Sequence, residues 1–206
     1  MPNLKLTYFD IHGGRAEPAR LAMYIGGVAF EDERISFQDF GAKRGSYPFK
    51  RVPFLQIDGV SLSQCNSINR YVGKLAGLYP SDPLEAAFCD EAMDAVEDIV
   101  SQQVVTMSIK DEAEKKAARE ALADGPIALY LERLQAILEA RGGEYFADDR
   151  LTVADLKVMV WVRGLRAGIL DYVPSDLPDK LAPKLVEHLD RVLAHPKVAE
   201  YYARFS

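Results

Sequence analysis

Cysteine is nearly absent: Cys65 and Cys89 are the only two in 206 residues. Their spacing suggests neither a metal site nor a disulfide framework, so a reducing compartment fits and no metal is expected. A basic excess is also lacking. The formal net charge is −6, which argues against the basic face that generic nucleic-acid binding requires. No apolar run approaches the ~20 residues that span a bilayer. The opening Met-Pro-Asn-Leu-Lys-Leu carries no signal-peptide core. The chain is therefore expected in the cytoplasm, with neither membrane nor nucleic acid as a partner. What remains is ordinary for a globular protein: a hydrophobic fraction of 49% against 27% charged residues, enough for a real core. There are no internal repeats and no low-complexity tract.

The most informative stretch is Arg51 to Tyr71, R-V-P-F-L-Q-I-D-G-V-S-L-S-Q-C-N-S-I-N-R-Y. Apolar residues flank Asp58-Gly59, a strong hairpin signal. Ser63-Gln64-Cys65-Asn66-Ser67 then delivers backbone N–H groups to a helix start, an end that favours anions because its first N–H groups are unpaired. A carboxylate-bearing ligand is the natural guest, and with Tyr8 at a strand end the pattern points to an enzyme acting on a thiol peptide. Upstream, Leu4–Phe9 alternates as a strand, Arg15–Tyr24 reads as a helix closed by Gly26-Gly27, and Phe30–Ile35 as a short second strand. Ser36 to Arg51 reads as a loop, and a helix is expected from Asn66 to about Ala76. The order β-α-β, loop, β-β-α predicts an α/β unit.

Tyr79-Pro80-Ser81-Asp82-Pro83 has the composition of a linker. Everything after it reads as helical. Phe88, Ala92, Val96, Ile99 and Val100 recur at helical spacing, and a break is expected at Gly125-Pro126. Leu131, Leu134, Ile137 and Leu138 follow on another helix, closed by Gly142-Gly143. Thr152-Val153-Ala154-Asp155 has the form of a capping box opening an apolar helix through Leu165. Two more helices are expected near Lys180–Leu193 and Pro196–Arg204. The domains are thus 1–78, a linker over 79–84, and an all-α bundle over 85–206. His188 and His195 lie far from any motif and are read as surface residues. Asp94, Glu97, Asp98 and Ser101 share one helical face, whose default reading is a solvated surface.

Taken together, Leu6-Thr7-Tyr8-Phe9 with Gly14-Arg15-Ala16-Glu17, Arg51-Val52-Pro53 with Asp58-Gly59, Ser63-Gln64-Cys65, and Leu151 to Asp155 resemble the cytosolic glutathione transferases. The tyrosine-type classes are the closest in pattern, the sigma class most of all, and the resemblance spans the whole chain. It implies a thioredoxin-like N-terminal domain with a mixed four-stranded sheet. It also implies glutathione as a substrate and a homodimer whose helical domain holds an apolar electrophile. Tyr8 would be the catalytic phenol, with Arg15 beside it. A peptide thiol near pKa ~8.5 must be brought to about 6.5 to be ionised near neutrality, worth about 2.7 kcal/mol. One hydrogen bond to a charged group supplies roughly 1.5–3 kcal/mol, so a single tyrosine suffices.

The glutathione contacts implied by the match are Phe40, Arg44, Arg51, Val52, Pro53, Gln64, Cys65 and Asp98. Pro53 would follow a cis peptide, leaving Val52 to pair with the ligand as an added strand would. Gln64 and Cys65 match the positions that hold the γ-glutamyl carboxylate, and Asp98 the residue that reaches the partner subunit's glutathione amine. Two positions depart from the family pattern. Cys65 stands where serine is normal, replacing a hydroxyl by a weaker S–H donor. Phe40 stands where a tryptophan donates its indole N–H, while Arg44 replaces a lysine and can grip a carboxylate bidentately. Tyr8, Phe9, His12 and Val104–Met107 are candidate walls for the electrophile. A glutathione-dependent isomerase of prostaglandin type and a non-catalytic crystallin-like or ligand-carrying relative are the alternatives. Glutaredoxin-like chemistry lacks its cysteine between Tyr8 and Arg15.

Overall fold

The computed structural model describes residues 2–205 and divides into two compact units, one formed by 1–79 with 196–206 and the other by 80–195. In the first, β1 (Leu4–Phe9) buries Leu4, Leu6 and Tyr8 on one face, the alternation its sequence predicts. The chain turns into α1 (Glu17–Ile25), whose second residue is Pro18, a position where the missing N–H costs nothing. Arg15 and Ala16 precede the helix and do not open it. Next comes β2 (Glu31–Ile35), parallel to β1.

The predicted loop over 36–51 is in fact structured. Its first part is α2 (Phe37–Lys43), capped by the Ser36 hydroxyl, which accepts from the Asp39 N–H at 3.0 Å. Short 3₁₀ turns over 44–46 and 48–50 follow. Since α2 buries none of its residues, it carries no apolar period that would betray it. Strands β3 (Phe54–Ile57) and β4 (Val60–Ser63) close a hairpin over Asp58 (φ 49°) and Gly59 (φ 86°), the two left-handed residues this turn demands. The sheet order is β2-β1-β3-β4, with β3 antiparallel to both neighbours. Helix α3 (Cys65–Leu75) packs beside α1, and Ile68 and Val72 of α3, like Leu21 and Met23 of α1, are buried.

In the second unit the Asp82 carboxylate caps α4 (Pro83–Thr106), accepting from the N–H groups of Leu84 and Glu85. Helix α5 (Glu112–Leu122) was not predicted. It is charged along most of its length and buries only Arg119, so periodicity could not find it. The expected break at Gly125-Pro126 is not a break. Pro126 lacks the N–H of an ordinary α-helical bond, and the backbone widens into one π turn over 123–127 before continuing as α6 (Ala128–Ala140). Helix α7 (Val153–Arg166) is buried on nearly all sides and starts on the predicted capping box. Instead of one helix near 180–193 there are two, α8 (Leu177–Leu181) and α9 (Pro183–Ala194), divided where Pro183 restarts the chain. Helix α10 (Pro196–Ala203) belongs to the first unit and packs on α1.

His188 corrects the sequence reading outright: it is 0% exposed. Its Nε2 lies 3.0 Å from Asp155 Oδ1, which also accepts from the Phe146 N–H at 3.0 Å. Asp155 Oδ2 accepts from the Thr152 N–H and hydroxyl, both at 2.7 Å. One buried carboxylate thus ties α7 to α9 and to the segment before it. Among the described residues no helix is long and apolar enough to cross a membrane.

Candidate active site

Strand register decides which predicted residues meet. Thr7 pairs with Phe54 and Phe54 with Ser63, so the next residues along each strand gather at one end of the sheet. They are Tyr8 on β1, Val52–Pro53 before β3, and Gln64–Cys65 after β4. The Val52–Pro53 peptide is cis. Pro53 is buried and Arg51 exposed. Gln64 sits at φ 72°, ψ 117°, a conformation rare for a side-chain-bearing residue and typical of positions over-determined by their surroundings. That kink starts α3 without a side-chain cap from Gln64. Cys65 is buried at the first position of the helix, its thiol 3.6 Å from Asn66 Oδ1.

The Tyr8 hydroxyl accepts from the Arg15 N–H at 3.2 Å, so the backbone of Arg15 holds it. Burial pushes the phenol above its ordinary value, with the Arg15 N–H and the charges of Arg15 and Arg20 pulling the other way. The phenol is therefore protonated at neutral pH. With the Arg15 bond occupying a lone pair, its proton is free to be given to a third group. Gly14, at φ 69°, makes this possible: a Cβ there would stand 2.7 Å from Tyr8 Oη.

Sequence reasoning missed Arg20. It is fully buried and gathers the turn after β1, donating to the Ile11 carbonyl at 3.0 Å, the Phe9 carbonyl at 3.3 Å, Glu17 at 3.3 Å and Asp32 at 2.9 Å. Its guanidinium carbon lies 5.8 Å from the Tyr8 ring centroid. The available signal was an arginine set among Ala19, Leu21 and Ala22 on an otherwise apolar helix, which must be paired if it is buried.

Phe40 and Arg44 stand beside this end of the sheet. The Phe40 ring meets Phe9 edge-on at 5.2 Å and stacks on Tyr47 at 5.9 Å, with the Arg44 guanidinium 5.8 Å away. Arg44 Nε donates to the Lys50 carbonyl at 3.2 Å, which tethers α2 to the turn before β3. His12 lies 4.0 Å, centroid to centroid, from Phe205. In the second unit, Asp98 and Asp94 are exposed on α4. Glu97 departs from the solvated-stripe reading, since it pairs with the buried Lys157 Nζ at 2.8 Å. Val105 and Met107, at 67% and 56% exposure, form an apolar surface at the end of α4 rather than bundle core. Among the described residues, no group of three or more His, Cys, Asp and Glu side chains could hold a metal.

Both parts of the chain match known protein domains. Residues 4–74 match the N-terminal domain of glutathione S-transferase and residues 97–204 its C-terminal domain. Glutathione S-transferase 1 of Ascaris suum is 32% identical over 92% of this chain and 91% of its own length. Hematopoietic prostaglandin D synthase of Gallus gallus is 31% identical over 98% of this chain and 96% of its own. The solved prostaglandin synthase D of Nilaparvata lugens superposes with a TM-score of 0.86 at 29% identity, covering 98% of each chain. A mixed four-stranded sheet carrying a phenol at one end, followed by a helical domain and matched in both parts, leaves one assignment: the chain belongs to the glutathione S-transferase family.

Proposed function

We propose that this chain adds the thiolate of glutathione to apolar electrophiles, with Tyr8 donating its hydroxyl proton in a hydrogen bond to the sulfur. The supporting observation is the Tyr8 phenol, kept protonated by burial and held from behind by the Arg15 N–H. The thiol proton leaves to solvent. The sulfur lone pair forms the new carbon–sulfur bond as the electrophile's leaving group departs with its bonding pair, halide in the case of an aryl halide. Gln64 and Cys65 at the start of α3 suit the γ-glutamyl carboxylate, the Val52 backbone suits the cysteinyl segment, and Arg44 with Arg51 suits the glycyl carboxylate. Phe40 supplies a ring face and no donor, so Arg44 carries more of that contact. The exposed Val105 and Met107 suit the electrophile. Asp98 is assigned to the amine of glutathione bound by the partner subunit of a homodimer. Light scattering after size exclusion checks the assembly, which is not automatic in the family, since the hookworm protein Na-GST-3 is described as monomeric. A cytoplasmic role in detoxification is the physiological reading.

The direct test is titration of the purified protein with glutathione, following thiolate absorbance against pH alongside conjugation of an aryl halide. A bound thiol well below ~8.5 supports the proposal. Absent binding would mean that Phe40 and Cys65 have disabled the site, and the non-catalytic reading would lead. Cys65→Ser is expected to tighten glutathione by roughly fivefold, because a hydroxyl is the stronger partner, worth about 1 kcal/mol. Gly14→Ala is expected to lose about 1–2 kcal/mol of stability from its left-handed backbone. It should also cut conjugation at least tenfold by displacing the Tyr8 hydroxyl, a test of positioning with Tyr8 itself intact.

A second reading has specific support: the chicken and planthopper relatives are both named as prostaglandin D synthases. Isomerisation of a prostaglandin endoperoxide returns glutathione unchanged, whereas conjugation consumes it. Turnover without loss of free thiol would identify the isomerase.

A further inference from the structure

The chain leaves Tyr8 through a turn whose far end, the Arg15 N–H, returns to hold the phenol. Gly13 and Gly14 lie within that turn, so its backbone is intrinsically loose. The Phe9 carbonyl accepts from the Ile11 N–H at 2.9 Å. Arg20 of α1 adds the firmer hold. Its Nη2 donates to the Phe9 carbonyl at 3.3 Å and its Nη1 to the Ile11 carbonyl at 3.0 Å. One planar fork thus spans the stretch between the phenol and Gly13.

The charges around Arg20 come from three elements. Glu17 on α1 accepts at 3.3 Å, and Asp32 on β2 accepts at 2.9 Å while also pairing with Arg34 at 2.8 Å. Tyr201 of α10 is buried, and burial followed by the Glu17 charge raises its phenol. Burying such an ion network is costly, and an apolar side chain of similar length commonly stabilises a core as well or better. Packing alone therefore gives no reason for an arginine here. Its location does. The guanidinium carbon lies 5.8 Å from the Tyr8 ring centroid, and its charge opposes the burial that raises the phenol.

We propose that Arg20 is a positioning residue for the reaction, fixing the Tyr8 hydroxyl through the Phe9 and Ile11 carbonyls and strengthening it as a donor to the glutathione sulfur. The inference rests on the role given to Tyr8 above and names the group that sustains it.

The test is the thiolate titration of bound glutathione on the full chain, for Arg20→Met and Arg20→Lys, each with and without Tyr8→Phe. Arg20→Met is expected to raise the pKa of the bound thiol by about 1 unit. That is roughly tenfold in kcat/KM at a pH below both values, with the gap narrowing as pH rises above them. Arg20→Lys keeps the charge and loses the fork, and should raise it by about 0.5 units, roughly threefold. It keeps the test decisive if the methionine variant folds poorly. In the Tyr8→Phe background either shift should fall below half its size, because the phenol through which Arg20 acts is gone. A merely structural arginine would lower the yield of folded protein and leave the thiol pKa of the folded fraction unchanged. That result, or equal shifts with and without Tyr8, overturns the inference while the Tyr8 reading stands. If Tyr8→Phe itself leaves the thiol pKa unchanged, the proposed function falls and this inference with it.

Discussion

Tyr8→Phe is expected to raise the pKa of bound glutathione from about 6.5 to about 8.5 and to cut kcat/KM roughly 50-fold at a pH near 6.5. The variant removes one donor from a buried, preorganised position and leaves the ring packing intact, so the loss is the hydrogen bond to the thiolate, about 1.5–3 kcal/mol. The pH dependence carries the sign. Below both thiol pKa values the deficit is constant, because each rate follows its thiolate fraction. As pH rises through the wild-type value the wild-type rate levels off while the variant's keeps climbing, and the gap closes above the variant's own pKa. The phenol does not interfere, since burial holds Tyr8 above its ordinary value and it remains a donor throughout the usual assay range. A stopped-flow thiolate titration of the two proteins reads the shift directly. Equal pKa values for the bound thiol would remove Tyr8 from the mechanism.

Asp155→Ala is expected to cost about 3–5 kcal/mol in urea unfolding, the scale seen when a buried charged partner is removed. It would leave the Phe146 and Thr152 N–H groups, the Thr152 hydroxyl and His188 Nε2 buried without their acceptor. Small domains hold only ~5–15 kcal/mol in total, so poor soluble expression is the practical sign. Asp155→Asn keeps the shape and part of the accepting capacity and should cost less, about 1–3 kcal/mol. A loss below ~1 kcal/mol for Asp155→Ala would show that the network is ornamental. The substitution lies in the second unit, remote in sequence from Tyr8, so glutathione affinity per folded molecule should be unchanged.

These two residues illustrate different kinds of legibility. Asp155 could be recognised because a capping box is a local device: Thr152 and its third neighbour satisfy one another within a single turn. The same locality made the Asp58-Gly59 hairpin, the alternating strand at Leu4–Phe9 and the apolar helix through Leu165 readable. Helices α2 and α5 escaped because they bury little, and a helix that buries little has no apolar stripe to count. At Gly125-Pro126 the expectation of a break followed from proline's missing N–H, but a π turn absorbs that defect without ending the helix. His188 looked like a surface residue since nothing near it in the chain foretells Asp155, which stands in α7 while His188 stands in α9.

By itself, then, the sequence determined the elements whose signals close within a few residues, the order α/β then all-α, and the family. It also placed Tyr8, Pro53, Gln64 and Cys65 among the residues of interest. Only the tertiary structure decided that β3 lies between β1 and β4, so that those residues share one end of a sheet. It alone buried Arg20 beside the Tyr8 ring, held the phenol on the Arg15 N–H, and drew α10 back onto α1. The physical reason is range. Propensity, capping and turn chemistry act between near neighbours, whereas burial, desolvation and the pairing of buried charge depend on which distant segments meet, and that is settled only when the whole core packs.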